Sequence, residues 1–123
     1  MNAAAALSVF FGAGLGGLAR YAMGVFLTQP AFLPFPLSTF LVNGLGALLA
    51  GVLFALLGPE WLKSQTVGLF LMTGFLGGLT TFSAFTAESF VLLCDRPLWA
   101  LVHGFSHLAV CLFAFALAYK LLT

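Results

Sequence analysis

Hydrophobic positions along this chain form four long runs, separated by short segments rich in turn-forming residues. The runs cover approximately residues 4–27, 38–57, 65–93 and 97–121. A hydrocarbon core of roughly 30 Å is crossed by a helix of about 20 apolar residues, so each run is long enough to span a bilayer. The links, at 29–36, 58–60 and 95–97, leave no room for a second domain. The pattern therefore predicts an all-α integral membrane protein, one four-helix transmembrane domain over residues 1–123.

The composition agrees with this prediction and excludes other classes of protein. Hydrophobic residues make up 63% of the chain and charged residues only 6%, whereas about a quarter of the residues of a soluble domain are charged. The basic residues are too sparse for a nucleic-acid-binding protein. The sequence also lacks a nucleophile and base pair, a phosphate-binding loop and a well-spaced set of metal-ligating side chains, so we do not expect an enzyme.

The few basic residues are evenly divided between the two predicted sides of the membrane. Lys63 and Lys120 lie on the side of both termini, whereas Arg96 and Arg20 lie on the other side. An excess of Lys and Arg in cytoplasmic loops normally sets the orientation of a membrane protein. With no excess, the chain is expected to insert in both orientations, and two inverted copies can then pair. The sequence therefore predicts an antiparallel, dual-topology homodimer.

The first helix presents small residues and one charge on a single face. Gly12, Gly16, Arg20 and Gly24 recur every four residues. Small residues at this spacing let membrane helices approach closely, so we expect a packing face. Two interpretations of Arg20 stay open: its side chain extends to the lipid headgroups, or it faces an aqueous vestibule and attracts anions.

Polar residues also share faces on the second and fourth helices. Thr39 and Asn43 lie one turn apart, and the Asn amide can either bond to a neighbouring helix or donate to a passing anion. His103, His107 and Cys111 follow one another at steps of four residues. That spacing is found in metal sites, but no carboxylate accompanies it on this helix. The polar lining of a pathway is the interpretation we favour.

The third hydrophobic run contains a segment that favours an interruption. Gly74, Gly77 and Gly78 permit backbone angles that other residues resist, and Thr80 and Thr81 are suitable N-caps for a helix that begins again. We therefore predict two half-helices that meet near residues 77–80. The alternative is a continuous, tightly packed, glycine-rich helix. If the break is present, backbone carbonyls lose their partners and can bind a cation such as Na⁺.

Beyond the predicted break, aromatic and polar residues follow in helical register. Phe82 and Phe85 lie on one face, Glu88 extends that face by a turn, and Ser83 and Thr86 lie beside it. Phenylalanines at helical spacing are usually core residues. This face alone therefore does not identify a function.

The whole third-helix segment resembles the signature of a known family. Residues 74–88, GFLGGLTTFSAFTAE, are similar in order and spacing to the third helix of the Fluc (CrcB) family of small microbial fluoride channels. The segment from Gly16 to Arg20 and the segment TFLVN at 39–43 also resemble that family. The resemblance extends to the chain length, the number of spans and the balance of charge.

This resemblance implies a passive channel through which fluoride leaves the cell across the inner membrane, built as a dual-topology homodimer with two antiparallel pores. It implies that the backbone carbonyls of Gly77 and Thr80 from both subunits hold a structural Na⁺ at the dimer interface. Phe82 and Phe85 would line the fluoride pathway. The full set of candidate pathway residues is Thr39, Asn43, Phe82, Ser83, Phe85, Thr86 and His107, with Arg20 at a vestibule and Glu88 and Thr81 in supporting roles.

Two other functions are compatible with four short spans. A small multidrug-resistance-type exporter couples protons to organic cations through a glutamate in its first helix, where this sequence has no acid. A scaffold protein whose glycine faces only mediate packing would transport nothing. His107 and Cys111 also depart from the family pattern, because many relatives have small polar residues there.

Overall fold

The computed structural model of the protein describes residues 2–27, 30 and 32–123. Within these residues, four helical segments are long and apolar enough to cross a membrane. They are α1 (Ala3–Phe26), α2 (Leu37–Leu57), a third span over Thr66–Asp95, and a fourth over Pro97–Leu122. The prediction of an all-helical protein with four candidate spans is thus confirmed. Of the first predicted link, Gln29 and Ala31 lie outside the described residues.

Local sequence signals set several helix ends. The side chain of Asn2 accepts a hydrogen bond of 2.8 Å from the N–H of Ala5 and caps α1. α2 ends at Gly58, whose φ of 76° is in the left-handed region that favours glycine. The sequence there predicted a turn, but a short helix, α3 (Pro59–Ser64), follows directly. Pro59 favours this start because the first residue of a helix needs no N–H partner.

The third span consists of two helices. The first, α4, is continuous from residue 66 to 79 and contains an α-helical turn (Thr66–Gly68), a π-helical segment (Leu69–Leu76) and a second α-helical turn (Gly77–Leu79). The second, α5, covers Phe82–Asp95. The sequence did not predict the π-helix. Such segments widen a helix locally and occur often near functional sites. The fourth span is α6 (Pro97–Leu122).

α1 packs against α4, and the glycines of α1 allow a close approach. A methyl group on Gly12 would lie 2.5 Å from the carbonyl oxygen of Phe70, and one on Gly16 would lie 2.8 Å from the nitrogen of Leu79. The packing face predicted for α1 is therefore confirmed at these two positions. At Gly24 the nearest atom would be 3.7 Å away, an ordinary contact, so close packing at that residue is not seen within the single chain and stays a prediction.

Gly77 and Gly78 of the third span have helical rather than unusual backbone angles, and Gly78 serves close packing. Gly77 is helical, with φ of −64° and ψ of −36°, and Gly78 belongs to the same helical turn. A methyl group on Gly78 would lie 2.9 Å from the Cα of Ala13. The expectation that these glycines adopt non-helical angles was therefore wrong. The small size of Gly78 brings α4 against α1, whereas a methyl group on Gly77 would meet only the carbonyl oxygen of Met72, at 3.9 Å. The chain departs from helical geometry only after these two glycines.

The described part of the chain has a small core and an extensive apolar surface. Val42, Ala50, Leu76 and Leu79 form the buried cluster, contributed by α2 and α4. Large apolar side chains elsewhere are exposed, such as Phe26 with 83% of its surface. Because apolar patches of this extent are unusual on soluble proteins, they are expected to face lipid or another chain. α2 packs mainly on α6, which positions these helices beside the break.

Candidate functional site

The third span is interrupted at two threonines. Thr80, with φ of −83° and ψ of 154°, and Thr81, with φ of −149° and ψ of 119°, are extended. The Thr81 hydroxyl accepts a hydrogen bond of 3.2 Å from the N–H of Ala84, so Thr81 caps α5. The sequence placed the break near residues 77–80. The extended residues are Thr80 and Thr81, and helical Leu79 separates them from the two glycines. The Thr81 hydroxyl thus replaces the helical acceptor that the N–H of Ala84 has lost.

Asn43 of α2 holds the extended backbone in place. Its Oδ1 accepts a hydrogen bond of 2.8 Å from the N–H of Thr81, and its Nδ2 donates one of 2.9 Å to the carbonyl of the same residue. The other Nδ2 hydrogen faces Nε2 of His107, also at 2.9 Å. Asn43 is buried, with 8% of its surface exposed. The interhelical bond that the sequence left as one of two roles for this residue is therefore present.

These contacts release two backbone carbonyls from helical pairing. In an uninterrupted α-helix each N–H donates to the carbonyl four residues earlier. The N–H of Thr81 would then donate to Gly77, but it donates to Asn43 instead. The N–H of Ala84 would donate to Thr80, but it donates to the Thr81 hydroxyl instead. Neither helical pair is formed. The carbonyls of Gly77 and Thr80 are the two that the family resemblance implied as cation ligands.

Arg20 binds a third carbonyl at the break. Its Nε donates a hydrogen bond of 3.1 Å to the carbonyl oxygen of Gly78, which in a continuous helix would pair with the N–H of Phe82. Arg20 thus connects α1 to the end of α4. Neither interpretation from the sequence included this contact, since both placed the guanidinium outside the bundle. A position for Arg20 at a vestibule stays a prediction.

The polar residues farther along α5 bond to α2 and α6. The Thr39 hydroxyl donates a hydrogen bond of 2.5 Å to Oε1 of Glu88. Ser89 bonds to Nδ1 of His103 at 3.0 Å. Oε2 of Glu88 and Nε2 of His103 are buried and have no hydrogen-bond partner among the described residues. Glu88 is therefore tied to Thr39, which agrees with a supporting role.

The aromatic rings form a continuous row against the two histidines. The ring centroids of Phe82 and Phe85 are 5.4 Å apart, which confirms that they share a face. Phe85 lies 4.5 Å from the ring of His107 and 5.0 Å from that of His103. Phe40 meets His107 edge to face at 5.6 Å. Phe82 is 74% exposed in the single chain, so this row reaches the outer surface.

A groove of about 450 Å³ runs along the break. It brings together seven of the predicted site residues: Asn43, Gly77, Thr80, Thr81, Phe82, Phe85 and His107. A second depression of about 430 Å³ lies beside Glu88 and is otherwise lined by residues of α5 and the link before α2. Thr39, Ser83, Thr86 and Arg20 do not line the groove. The structure therefore divides the predicted set into groove residues and residues around it.

The two predicted hydroxyl donors of α5 are engaged locally. Thr86 donates a hydrogen bond of 2.9 Å to the carbonyl of Phe82, one turn earlier. The Ser83 hydroxyl lies 3.1 Å from that of Thr81. Both side chains are exposed in the single chain. A contribution of either hydroxyl to an anion pathway stays a prediction.

Sequence reasoning missed three residues that shape this region. The rings of Phe35 and Phe40 lie nearly perpendicular to those of His103 and His107, and Ser89 bonds to His103. Ser89 lies four residues after Phe85, a spacing that could have suggested a shared face. The positions of Phe35 and Phe40 depend on how α2 meets α6. No pattern within one helix indicates such a contact.

Comparison with known proteins decides the family. The model of the family described as CrcB-like protein, Camphor Resistance (CrcB), matches residues 7–119. A fluoride-specific ion channel of Pyrococcus horikoshii is 40% identical over 80% of this chain and 79% of its own. Channels of the same name from Aromatoleum aromaticum and Bordetella petrii are each 42% identical, over 88% and 85% of this chain and 82% and 78% of their own. The chain belongs to the CrcB-like family.

The family match begins in α1 and ends in α6, so it includes every element that lines the groove. The resemblance inferred from the third-span motif is confirmed. The relatives are named as channels, which agrees with the expectation of a non-enzymatic protein. The roles of individual residues, the bound cation and the dimer stay predictions.

Proposed function

We propose that this chain forms a fluoride-selective passive channel that exports fluoride from the cell. The observation that carries the proposal is the family match, together with relatives 40–42% identical over 80–88% of the chain that are named fluoride-specific ion channels. Four apolar spans make it a multi-pass membrane protein. We place it in the inner membrane, because fluoride that leaves the cytoplasm must cross that barrier.

In this proposal fluoride moves along the rings of Phe82 and Phe85. The hydrogen-bearing edge of an aromatic ring is positive because of its quadrupole, so it attracts an anion without a fixed charge. Conduction requires sites that bind weakly enough to release the ion. The row of rings from Phe82 to His107, with centroids 5.4 Å and 4.5 Å apart, supports a path of this kind.

The hydrogen bonds of the structure limit which polar residues can act as anion donors. Both Nδ2 hydrogens of Asn43 are engaged, and the hydroxyl hydrogens of Thr39 and Thr86 are donated to Glu88 and to the backbone. A hydroxyl has one hydrogen to donate. Asn43 and Thr39 therefore act on the pathway by positioning its walls.

The released carbonyls suit a structural Na⁺. A cation of this kind is bound by unwound backbone carbonyls in other broken membrane helices, and the oxygens of Gly77 and Thr80 have lost their helical donors. Gly77 is exposed at the surface of the single chain, which supports a site shared with a second copy. When bound, Na⁺ would supply a positive charge that joins the two chains at their broken helices.

We further propose that two chains associate in antiparallel orientation. The even division of basic residues leaves insertion without a preferred direction, and the groove with Phe82 at its edge lies on the open side of one chain. A second copy would cover that side.

Dual topology can be tested with a variant in which Lys63 is replaced by cysteine and Cys94 and Cys111 are removed. In sealed vesicles, an impermeant thiol reagent should label about half of the chains from each face of the membrane. Labelling from one face alone would refute dual topology.

The exporter alternative is not favoured. Its coupling acid would lie in α1, which contains no acidic residue, and the names of the relatives refer to channels. An exporter also predicts transport that depends on a proton gradient. Fluoride movement that stops when that gradient is abolished would favour this alternative.

The proposal is tested by fluoride-electrode measurements of efflux from liposomes that contain the pure protein. We expect rapid fluoride efflux, little chloride efflux, and loss of fluoride flux in Phe82→Ile and Phe85→Ile. Phe105→Ile is a matched control, because Phe105 and Phe82 are both 74% exposed but Phe105 does not line the groove. Equal leakage of the two halides, or unchanged flux in both α5 variants, would overturn the proposal.

A further inference from the structure

The Thr81 backbone fixes the orientation of the Asn43 amide. An N–H must face an oxygen and a carbonyl must face the NH₂ group, so the bonds of 2.8 Å and 2.9 Å to Thr81 assign Oδ1 and Nδ2 without ambiguity. A flipped amide would place two donors together and two acceptors together. The atom of Asn43 that lies 2.9 Å from His107 is therefore Nδ2, a donor.

This orientation determines the tautomer of His107. Nδ2 of Asn43 has hydrogens and no acceptor capacity, so Nε2 of His107 must accept and must itself have no hydrogen. In a neutral imidazole the single hydrogen then lies on the other nitrogen, Nδ1. His107 is thus the Nδ1–H form as long as Asn43 holds the break.

The Nδ1–H of His107 is a buried donor without a partner among the described residues. The side chain is 95% buried, since only 5% of its surface is exposed, and it lines the groove together with Phe85. The surrounding rings of Phe40, Phe85 and His103 have centroids 5.6, 4.5 and 5.3 Å away. None of the Phe rings offers a conventional acceptor. A donor of this kind normally has a partner.

We propose that fluoride is this partner: His107, held by Asn43 as the Nδ1–H tautomer, donates its hydrogen to fluoride beside Phe85. The inference rests on the proposed fluoride channel and deepens it by assigning a specific ligand. Fluoride is small and accepts hydrogen bonds strongly, so one buried N–H surrounded by aromatic rings favours it over larger, weaker acceptors. His107 would then contribute to selectivity.

The tautomer and the contact with fluoride can be observed directly. Protein with ¹⁵N-labelled histidine in lipid vesicles is studied by solid-state NMR, and His103→Gln assigns the two remaining ring signals to His107. At neutral pH we expect a protonated Nδ1, a bare Nε2, and an Nδ1 signal that shifts with fluoride but not with chloride. Dipolar coupling between Nδ1 and ¹⁹F would show the contact itself.

Two substitutions separate the donor from the acceptor of the ring. The side-chain amide of Asn can place an N–H near the position of Nδ1, whereas the longer amide of Gln reaches the position of Nε2. We expect His107→Asn to retain more fluoride flux than His107→Gln, in which flux should fall roughly tenfold or more, the effect of losing one hydrogen bond to a charged group. Ser106→Ala, on the neighbouring residue of α6, should leave flux unchanged.

The outcomes distinguish this inference from the proposed function. If the vesicles conduct fluoride but His107 is protonated on Nε2, or its Nδ1 signal does not respond to fluoride, the channel proposal stands and the inference is wrong. An unresponsive Nδ1–H would instead donate to the face of a neighbouring ring. Equal flux in His107→Gln and His107→Asn would also overturn it. If the unmodified protein conducts no fluoride, the proposed function fails first.

Discussion

Replacement of Asn43 by Leu should destabilise the protein by removing the side chain that holds the break. Leu has the same number of side-chain heavy atoms in the same branched arrangement but neither donates nor accepts hydrogen bonds. The variant loses three bonds of 2.8–2.9 Å, two to Thr81 and one to His107. Polar contacts between membrane helices contribute about 0.6 kcal/mol on average and up to about 1.7 kcal/mol. The expected loss in free energy of unfolding is therefore about 2 kcal/mol, with an upper bound of about 5 kcal/mol.

The loss can be measured by reversible unfolding of the purified protein in mixed micelles, followed by circular dichroism. Ser38→Ala is the control on the same helix, because Ser38 makes no side-chain hydrogen bond with the described residues, and it should change stability by less than about 0.5 kcal/mol. A second readout is fluoride flux. Without Asn43 the N–H of Thr81 can form the helical hydrogen bond to the Gly77 carbonyl, which removes the break, so the flux should also fall. An Asn43→Leu variant as stable as Ser38→Ala would refute the inference that these bonds hold the break.

Other contacts give further predictions. Gly16→Ala should lower stability by about 1–3 kcal/mol through overpacking against α4, whereas Gly17→Ala, which would meet no atom within 4 Å, should be neutral or slightly stabilising in the same unfolding measurement. Thr39→Val should cost about 1 kcal/mol, because Glu88 loses its donor; Thr39→Ser should restore it, and a double-mutant cycle with Glu88→Gln should show coupling. Arg20→Lys keeps the charge but loses Nε, so melting temperature should fall; an unchanged melting temperature would show that the carbonyl contact is dispensable.

The features that the sequence predicted depend on patterns within one helix. The four spans follow from hydrophobic length, and the pairing of Phe82 with Phe85 follows from their spacing of three residues. The threonine cap of α5 was also predictable, because Thr81 precedes the helix that it caps. These features are local, so neighbouring residues determine them whatever the rest of the chain does.

The features that the sequence did not predict depend on contacts between helices. A glycine required for close approach and one required for unusual backbone angles look alike in a sequence. Unusual angles were therefore expected at Gly78, which instead permits close approach to α1, and at Gly77, which is helical. Asn43 bonds to a residue 38 positions away, and Arg20 bonds to one 58 positions away. Such partners are fixed by tertiary packing. The π-helix likewise has no sequence signature of its own.

The central claim is that fluoride itself crosses the membrane through this protein, without coupling to protons. The most direct test is the reversal potential of current through the pure protein in a planar bilayer, with a tenfold fluoride gradient opposed by an equal chloride gradient and equal Na⁺ on both sides. The account predicts reversal close to the fluoride equilibrium potential, about 59 mV from zero, and unchanged by a pH gradient. Three results would contradict it: reversal near zero, reversal at the chloride equilibrium potential, which has the opposite sign, or reversal at a potential that follows the proton gradient.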